Sequence, residues 1–342
     1  MKKLFSLILI CMLLVCGCTK EEKAVENSQK DPEPVVETRK YIVDSKSQTR
    51  PIAVMINNHP TARPYHSGLQ DAFLVYEMLV EGGISRMMAI FKDQTTERIG
   101  SVRSARHTYL DYVLENDALY VHFGWSYIAE DQIPKLGINN INFLYSNGYW
   151  RDKSLGIPTE HTAFTSIEKI NEQVVNKNYR NTSTQKLLLD YSLDEIDISK
   201  KSSAERADKV SLRFSSSNTT SFVYDQEAKV YNRFVNDKAH TDYVTKKQFT
   251  TKNIIVTKIR NYSVDNSILQ ELDNITTGAG YYITDGYAAP IKWSKSSRGA
   301  QTVYTYLDGN EIKVNNGNTY IEIVPLTDNS VTISANEVAQ TE

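Results

Sequence analysis

The sequence predicts an α+β protein, in which an N-terminal α/β-type domain with a mixed sheet precedes a mainly antiparallel, β-rich C-terminal domain. Residues 51–180 interleave short apolar runs with segments of helical periodicity, which favours strands layered with helices. Residues 220–335 instead follow a period of two and carry frequent Gly and Asn turns. The length of 342 residues also favours two domains, because a single hydrophobic core rarely grows beyond about 250–300 residues.

Apolar runs and capping patterns predict the elements of the N-terminal domain. The apolar runs predict strands at 52–56, 74–80, 84–91, 98–102 and 118–123. Ser104 can cap a helix that ends near Asn116. The spacing Thr165-x-x-Glu168 is typical of a capping box and predicts a second helix that ends near Asn178.

The polar segment 181–219 separates the two predicted domains as a linker or long connecting loop. Beyond it, short strands are predicted at 222–224, 230–234, 253–259, 281–284, 291–293, 303–314 (a hairpin) and 320–324. They indicate an antiparallel sandwich or barrel. Gly278-x-Gly280 is interpreted as a turn signal. Most aromatic residues are interpreted as packing residues, with a sugar-stacking platform at Tyr287 or Trp293 as the alternative.

The N-terminus has the pattern of an export signal. Lys2 and Lys3 precede an apolar run at 4–15, which is too short to cross about 30 Å of hydrocarbon. The run ends in the sequence Val-Cys-Gly-Cys, which resembles the lipobox of bacterial lipoproteins; the alternative is a plain signal peptide with an incidental cysteine.

The lipobox resemblance implies that residues 1–17 are a lipoprotein signal peptide and that Cys18 carries acyl chains such as palmitate. Residues 18–50 then form a flexible tether, because they are rich in Glu, Lys, Ser, Gln and Pro and poor in apolar residues. The expected location is the extracytoplasmic face of the cell membrane, with the lipid anchor as the membrane contact.

Composition excludes several classes of protein. All three cysteines lie within the first 18 residues, which excludes a disulfide framework, a cysteine nucleophile and a zinc–thiolate site in the body. A net charge of −2 argues against a nucleic-acid partner. The chain has no Gly-Lys-Ser/Thr phosphate loop, no Gly-x-Gly-x-x-Gly, no Gly-x-Ser-x-Gly and no His-Glu-x-x-His. We therefore predict no cofactor and no metal.

Most of the histidines and several arginines lie in the N-terminal domain. Several of them are at predicted strand ends, where ligand-binding sites of α/β sheets are usually found. Guanidinium groups near a helix N-terminus favour an anion site. The predicted anion-binding residues are Arg63, Arg86, Arg103, Arg106 and Arg151. The alternative is that Arg103 and Arg106 pair with Glu77, Glu81 or Asp111 and hold the sheet together.

A second group supplies orienting or acid–base candidates. They are Glu77, Glu81, His59, His122 and His161. His240-x-Asp242 could orient a base but is weak evidence alone.

Several motifs together resemble the YerB family of Gram-positive lipoproteins. The motifs are Pro51-Ile-Ala-Val-Met-Ile-Asn-Asn-His-Pro60, Ala62-Arg63-Pro64, Ser67-Gly68-Leu69, Val75-Tyr76-Glu77, Glu81-Gly-Gly-Ile-Ser-Arg86, Gly100-Ser-Val-Arg-Ser-Ala-Arg106, Val121-His-Phe-Gly-Trp-Ser126, Trp150-Arg151, Tyr231-x-Arg233 and His240-x-Asp242. The resemblance implies a lipoprotein with two domains of unknown function, and it implies no reaction.

The chain departs from the family pattern in two places. Segment 63–69 is one residue longer, which argues against His66 as a site residue, and Glu160-His161-Thr162 replaces Pro-His-Asn, which argues against Thr162 and weakens His161. The order of strands and arginine loops also resembles the LytR-CpsA-Psr phosphotransferases, but no motif matches residue by residue, so no catalytic role follows.

Three functional hypotheses follow. The first is a lipoprotein that binds an anionic envelope ligand, such as a phosphorylated glycan, a lipid-linked precursor or peptidoglycan, in an arginine-rich cleft. The second is an envelope enzyme, a phosphotransferase or hydrolase, that uses Glu77, Glu81, His122 or His161. The third is a non-catalytic scaffold that binds an envelope protein. The sequence favours binding over catalysis without deciding between them.

Overall fold

The computed structural model describes residues 41–264 and 267–335. The predicted signal peptide, Cys18 and most of the predicted tether lie outside the described residues.

The N-terminal elements alternate strands with helices, as the apolar pattern predicts. In chain order they are β1 Ile52–Ile56, β2 Leu74–Leu79, β3 Ser85–Phe91, β4 Ile99–Gly100, α1 Leu110–Glu115, β5 Leu119–His122, α2 Tyr127–Lys135, β6 Asn140–Asn142, β7 Trp150–Arg151, β8 Ala163–Thr165 and α3 Ile167–Asn176.

The remaining elements are strands. In chain order they are β9 Asp190–Ser192, β10 Glu205–Arg206, β11 Lys209–Ser215, β12 Asn218–Asp225, β13 Val230–Val235, β14 Lys238–Ala239, β15 Thr250–Thr251, β16 Asn253–Ile259, β17 Asn261–Ser263, β18 Gln270–Leu272, β19 Thr277–Thr284, β20 Tyr287–Ser294, β21 Val303–Tyr306, β22 Lys313–Asn315, β23 Thr319–Pro325 and β24 Val331–Ser334. Short 3₁₀ turns lie at Arg63–Tyr65, Leu69–Asp71, Glu81–Gly83, His107–Tyr109, Lys153–Leu155, Thr159–His161 and Ile198–Lys200.

One mixed sheet runs through both halves of the chain. Its strand order is β10-β20-β19-β16-β23-β2-β3-β1-β5-β6, with β21 on β20. Strand β23 lies between β16 and β2 and is parallel to both. Strands β11 to β15 and β24 form a second, antiparallel sheet. The α+β prediction is confirmed, but the strands of the two predicted domains share a sheet instead of forming separate ones.

Two apolar cores cover the two faces of the mixed sheet. Along β1, Ala53 and Met55 join one core while Val54 and Ile56 join the other, as the alternation of a strand requires. The first core includes the buried face of α1, and the second includes α3 and the antiparallel sheet. Because both faces are covered, central strands such as β1 read as continuous apolar runs.

The helix boundaries differ from the predictions for local reasons. Ser104 does not cap a helix, because its hydroxyl donates to the Phe123 carbonyl oxygen at 2.9 Å, and α1 begins only at Leu110. The cap of α3 is Ser166, whose hydroxyl accepts from the Lys169 amide at 3.2 Å, one residue after the predicted Thr165. Helix α2 was not predicted because its sequence is polar and carries a proline near its end.

Part of the predicted tether packs against the body. Val43 is buried, and the Ile42 amide donates to the Asn316 side chain at 2.8 Å. Arg50 is buried and pairs with Asp117 at 3.3 Å. Across residues 41–264 and 267–335, no helix is both long and apolar enough to cross a bilayer.

The Gly278-x-Gly280 motif lies inside β19 and is not a turn. A Cβ at Gly278 would lie 2.6 Å from the ring of Trp293 on the neighbouring strand, and one at Gly280 would lie 1.9 Å from the Val256 carbonyl oxygen. The two glycines therefore make room for a buried indole and for a neighbouring backbone. Trp293 is buried in the core, which removes it as a sugar-stacking platform.

Candidate functional site

Two of the predicted arginines share one carboxylate. Arg106 binds both oxygens of Glu81, through Nε at 2.8 Å and through Nη2, and Arg86 lies 3.4 Å from the same group. Burial alone would raise the pKa of Glu81, but the hydrogen bond from Arg106 and the charges of both arginines lower this pKa to about 2. Arg86 also donates to the Ser104 carbonyl oxygen at 2.7 Å. This triad is a structural ion-pair cluster.

The helix that was expected to support the anion site does not reach these arginines. His107–Tyr109 form a 3₁₀ turn, and α1 has six residues. The Asp111 carboxylate pairs with Arg298 at 2.5 Å and not with Arg103 or Arg106. The helix N-terminus therefore contributes no anion site.

A buried ion pair joins the two halves of the chain. Glu77 on β2 and Arg233 on β13 are both fully buried, with Oε2 and Nη2 2.6 Å apart. The Glu77 carboxylate also accepts from Asn58 at 3.1 Å, from the Thr220 hydroxyl at 3.2 Å, and from the Ser85 hydroxyl. These hydrogen bonds offset the desolvation that a buried carboxylate costs.

A second buried carboxyl group lies beside the ion pair. Glu322 on β23 is in register with Glu77 on the adjacent parallel strand. Burial first, and the charge of Glu77 second, raise the pKa of Glu322 well above its ordinary value, against the opposing effect of Arg233. Glu322 is therefore a neutral acid in the folded protein.

Two histidines extend this network towards β1. Arg233 donates to His240 Nδ1, His240 Nε2 lies 2.8 Å from His66 Nδ1, and His66 Nε2 lies 2.5 Å from the Asn57 carbonyl oxygen. A guanidinium only donates and a carbonyl only accepts, so each ring carries its hydrogen on Nε2 and donates towards Asn57. Burial lowers the pKa of His66 to about 3 and that of His240 well below its ordinary value, so both rings are neutral.

The network approaches the surface at a stacked pair of imidazoles. The rings of His59 and His161 lie 4.7 Å apart between centroids and are tilted by 14°. The Asn57 side chain accepts from the His59 amide through Oδ1, so its Nδ2 donates to His161 Nδ1 at 2.9 Å. The Thr61 amide donates to His59 Nδ1 at 3.2 Å. Each ring thus carries its hydrogen on Nε2.

Both imidazoles are neutral donors. Burial first, and then the charges of Arg103 and Arg63, lower the pKa of His59. Burial, His59 and Arg103 lower the pKa of His161. Because Nδ1 of each ring accepts a hydrogen bond, Nε2 keeps its hydrogen and is not a free metal ligand in this arrangement.

Three half-buried arginines lie in this region: the charges of Arg63 and Arg103 act on His59, and the charge of Arg151 acts on Arg103. Arg63 donates to the side-chain and main-chain oxygens of Asn58 at 3.1 and 2.9 Å, and burial together with Arg233 lowers the pKa of Arg63 to about 10. Arg103 donates to the Glu160 carbonyl oxygen at 3.0 Å.

Arg151 donates to the Thr159 carbonyl oxygen and lies over the Phe123 ring, 4.5 Å from its centroid. Within the described part of the chain, Arg63, Arg103 and Arg151 have no carboxylate oxygen within 4 Å. The ion pairs of this region are made by Arg86, Arg98, Arg106 and Arg233. We call His59, Arg63, Arg103, Arg151 and His161 the His–Arg cluster.

A cleft of about 310 Å³ opens beside the His–Arg cluster. Its lining residues are Val102, Arg103, Ser104, Phe123, Gly124, Trp125, Leu144, Arg151 and Glu160. The cleft therefore combines two guanidinium groups with two aromatic rings.

Comparison with known proteins agrees with this architecture. The family described as "Protein of unknown function (DUF3048) N-terminal domain" matches residues 38–180, and its C-terminal counterpart matches residues 210–321. The chain belongs to the DUF3048 family. It is 29% identical to "Putative lipoprotein YerB" of Bacillus subtilis (strain 168) over 332 residues, which covers 95% of this chain and 96% of that protein. A crystal structure of the YerB protein from Bacillus subtilis has a TM-score of 0.75 and 28% identity, and covers 87% of this chain and 100% of that one.

The buried network crosses the two DUF3048 regions. Glu77 and His66 lie in the N-terminal match, and Arg233 and His240 lie in the C-terminal match. The His–Arg cluster lies entirely in the N-terminal match.

His122, the remaining predicted site residue, and Thr162, which the family pattern argued against, both lie inside the fold. His122 is fully buried, with Nδ1 2.8 Å from the Gly124 carbonyl oxygen and Nε2 3.2 Å from the Asn140 side chain, and burial lowers the pKa of His122 to about 4. Thr162 is buried, and its hydroxyl donates to the Thr159 carbonyl oxygen at 2.8 Å.

Sequence reasoning missed four residues that organise the site. Asn57, Asn58 and Arg233 are buried and belong to the hydrogen-bond network around Glu77 and the imidazoles, and the buried Glu322 lies in register with Glu77. The two asparagines had a signal, since they follow directly on the apolar run of β1. Arg233 and Glu322 sit in strands whose alternation would place them in a core, and that conflict indicates a buried partner.

Proposed function

We propose that this protein is a lipid-anchored lipoprotein of the extracytoplasmic face of the cell membrane, and that its His–Arg cluster binds an anionic cell-envelope ligand. The lipobox-like sequence ending at Cys18 and the name of the Bacillus subtilis relative support the anchor. Phosphorylated glycans, lipid-linked precursors and peptidoglycan are the ligand classes with suitable charge.

The observation that carries the proposal is the set of three arginines without a carboxylate partner. Arg63, Arg103 and Arg151 are half-buried, and their recorded hydrogen bonds go to neutral oxygens. These three arginines therefore lack a direct ion pair, and only more distant charges, such as those of Glu77 and Glu160, act on Arg63 and Arg103, whereas Arg86 and Arg106 share Glu81. An anion would supply the missing charge and form charge-assisted hydrogen bonds.

The imidazoles suit the same ligand. His59 and His161 present Nε2–H donors without adding positive charge that would repel the neighbouring arginines. The buried chain of hydrogen bonds behind Asn57 fixes the orientation of these donors.

Proton transfer by the other candidates is less well supported. Glu77 is saturated by hydrogen bonds inside the core, Glu81 is held ionised between two arginines, and His122 is fully buried. None of these three groups can reach a ligand at the surface without rearrangement.

Calorimetric titration of the full-length, lipidated protein in detergent with inorganic pyrophosphate tests the proposal. Replacing Arg103 or Arg151 by Gln removes a charge that has no structural ion pair. We expect each change to weaken pyrophosphate binding about tenfold or more, because a hydrogen bond to a charged group contributes roughly 1.5–3 kcal/mol.

The matched control is Arg213→Gln. Arg213 is exposed on β11, and the change removes the same charge away from the His–Arg cluster. Equal affinity of the wild type, Arg103→Gln and Arg151→Gln for pyrophosphate, or equal losses in all three variants, would contradict the proposal.

A further inference from the structure

The cleft beside the His–Arg cluster has two chemically different walls. Arg103 and Arg151 supply positive charge, while Phe123, Trp125 and Leu144 supply apolar surface. The volume of about 310 Å³ lies at the small end of ligand-binding pockets. The cleft therefore suits a small ligand that is both anionic and partly apolar.

The aromatic wall continues onto the surface. The ring of Trp125 is half-buried and lies 5.8 Å from the ring of Tyr145, whose side chain is 72% exposed. Leu144 beside it is 53% exposed. Three adjacent apolar side chains at the mouth of a charged cleft form a contiguous surface that favours contact with a ligand.

One buried side chain holds both loops of this wall. Asn142 Oδ1 accepts from the amide of Gly124 at 2.9 Å and from the amide of Leu144 at 3.0 Å. The Ala105 amide donates to the Gly124 carbonyl oxygen at 2.9 Å, which ties the arginine loop to the aromatic loop. The rings and guanidinium groups are thus pre-organised relative to each other.

The turn between the rings depends on a glycine. Gly124 has a φ of +77°, a conformation that favours glycine, and a Cβ there would lie 3.3 Å from the Ser104 hydroxyl oxygen. The same turn places Phe123 under Arg151 and brings Trp125 into the cleft lining.

Sugar rings match this combination of groups. The C–H face of a pyranose is apolar and packs on an aromatic ring, while its hydroxyl groups bond polar atoms at the edge. In the cleft, the Ser104 hydroxyl and the Glu160 carboxylate are such polar groups. A phosphate on the sugar would reach the arginines.

We infer that the cleft is a glycosyl-phosphate subsite, in which Trp125 and Tyr145 pack on the sugar ring while Arg103 and Arg151 bind the phosphate. This inference rests on the proposed anion binding and narrows the ligand class to a phosphorylated sugar. It also assigns Trp125 and Tyr145 as residues that select the sugar.

Titration of the full-length protein in detergent with two probes tests the inference. The probes are N-acetylglucosamine 1-phosphate and inorganic phosphate. We expect the sugar phosphate to bind about tenfold more tightly than phosphate, and Tyr145→Ala and Trp125→Ala to remove most of that difference. Neither variant should change the affinity for inorganic phosphate.

Two controls separate recognition from folding. Tyr145 is exposed, so Tyr145→Ala tests the sugar contact without emptying the core. Tyr262→Ala removes a 39% exposed tyrosine on β17 and should leave both affinities unchanged.

The outcomes distinguish this inference from the proposal on which it rests. Equal affinity for the two probes, with no effect of Tyr145→Ala, would overturn the glycosyl-phosphate subsite and leave anion binding intact. If the wild type binds neither probe more tightly than the Arg103→Gln variant does, both the glycosyl-phosphate subsite and the proposed anion binding would be overturned.

Discussion

Glu77 and Arg233 form a fully buried ion pair, 2.6 Å long, between residues that are 156 positions apart in the chain. The pair connects the mixed sheet to the antiparallel sheet, and the hydrogen bonds of Arg233 continue through His240 and His66 to Asn57. Asn57 orients the buried His161, whose ring stacks on that of the half-buried His59. The core and the candidate site are therefore parts of one polar network.

Removing Arg233 should be strongly destabilising. Arg233→Met leaves Glu77 charged and buried, and we expect the free energy of unfolding to fall by about 3–5 kcal/mol in urea titrations. Adding Glu77→Gln removes that charge and should recover part of the loss. The exposed Arg213→Met should change stability by no more than about 0.5 kcal/mol. If the double variant loses as much free energy of unfolding as the two single variants lose together, the pairing of Glu77 with Arg233 would be contradicted.

Stability should fall as pH is lowered from about 6.5 towards 4. His66, His122 and His240 are neutral in the fold, with the pKa of His66 near 3 and that of His122 near 4, whereas the unfolded chain protonates them near 6.5. The unfolded state binds more protons, so each histidine costs roughly 1.4 kcal/mol per pH unit in this window.

Glu322 opposes this trend. It holds a proton in the fold, which the unfolded chain releases above pH 4.5, so its contribution favours lower pH. We expect the combined contribution of the three histidines to the free energy of unfolding to exceed the opposing contribution of Glu322. Urea unfolding at pH 6.5 and 4.5 measures the sum, and a protein equally or more stable at pH 4.5 would contradict the buried neutral histidines.

Gly280 should tolerate no side chain. The Cβ of Gly280→Ala would lie 1.9 Å from the Val256 carbonyl oxygen, so β16 and β19 would have to separate. We expect a loss of about 1–3 kcal/mol or more in the free energy of unfolding. Gly299→Ala, where no atom lies within 4 Å of the new Cβ, should be close to neutral. Similar stability of the two variants would contradict this strand packing.

The anchor prediction concerns a residue outside the described ranges. Cys18→Ala should release the protein into the medium or leave the precursor unprocessed, as immunoblotting of membrane and medium fractions would show. Normal processing and metabolic lipid labelling of this variant would exclude Cys18 as the lipidated residue.

The sequence predicted elements better than it predicted partners. The apolar runs located β1, β2, β3 and β5, because strands covered on both faces are apolar throughout. The position of β23 between β16 and β2 could not be read from local patterns, since pairing with β2 joins residues about 245 positions apart and depends on the whole fold.

The candidate site shows the same limit. The sequence does not distinguish Arg63, Arg103 and Arg151 from Arg86 and Arg106. Only the fold shows that Glu81 forms ion pairs with Arg86 and Arg106. The length difference at segment 63–69 argued against His66, yet the structure places this histidine in the buried network through a partner 174 positions away. Composition and spacing do not encode which distant side chain becomes the partner.

The most direct test of the central claim is the ¹⁵N–¹H NMR signal of the histidine rings during titration with inorganic pyrophosphate. His59→Gln and His161→Gln assign the signals of the two stacked rings. The account predicts that both rings are neutral with hydrogen on Nε2, and that these two signals shift on titration while those of the buried His66, His122 and His240 do not. Unchanged signals from His59 and His161 at saturating pyrophosphate would contradict anion binding at the His–Arg cluster.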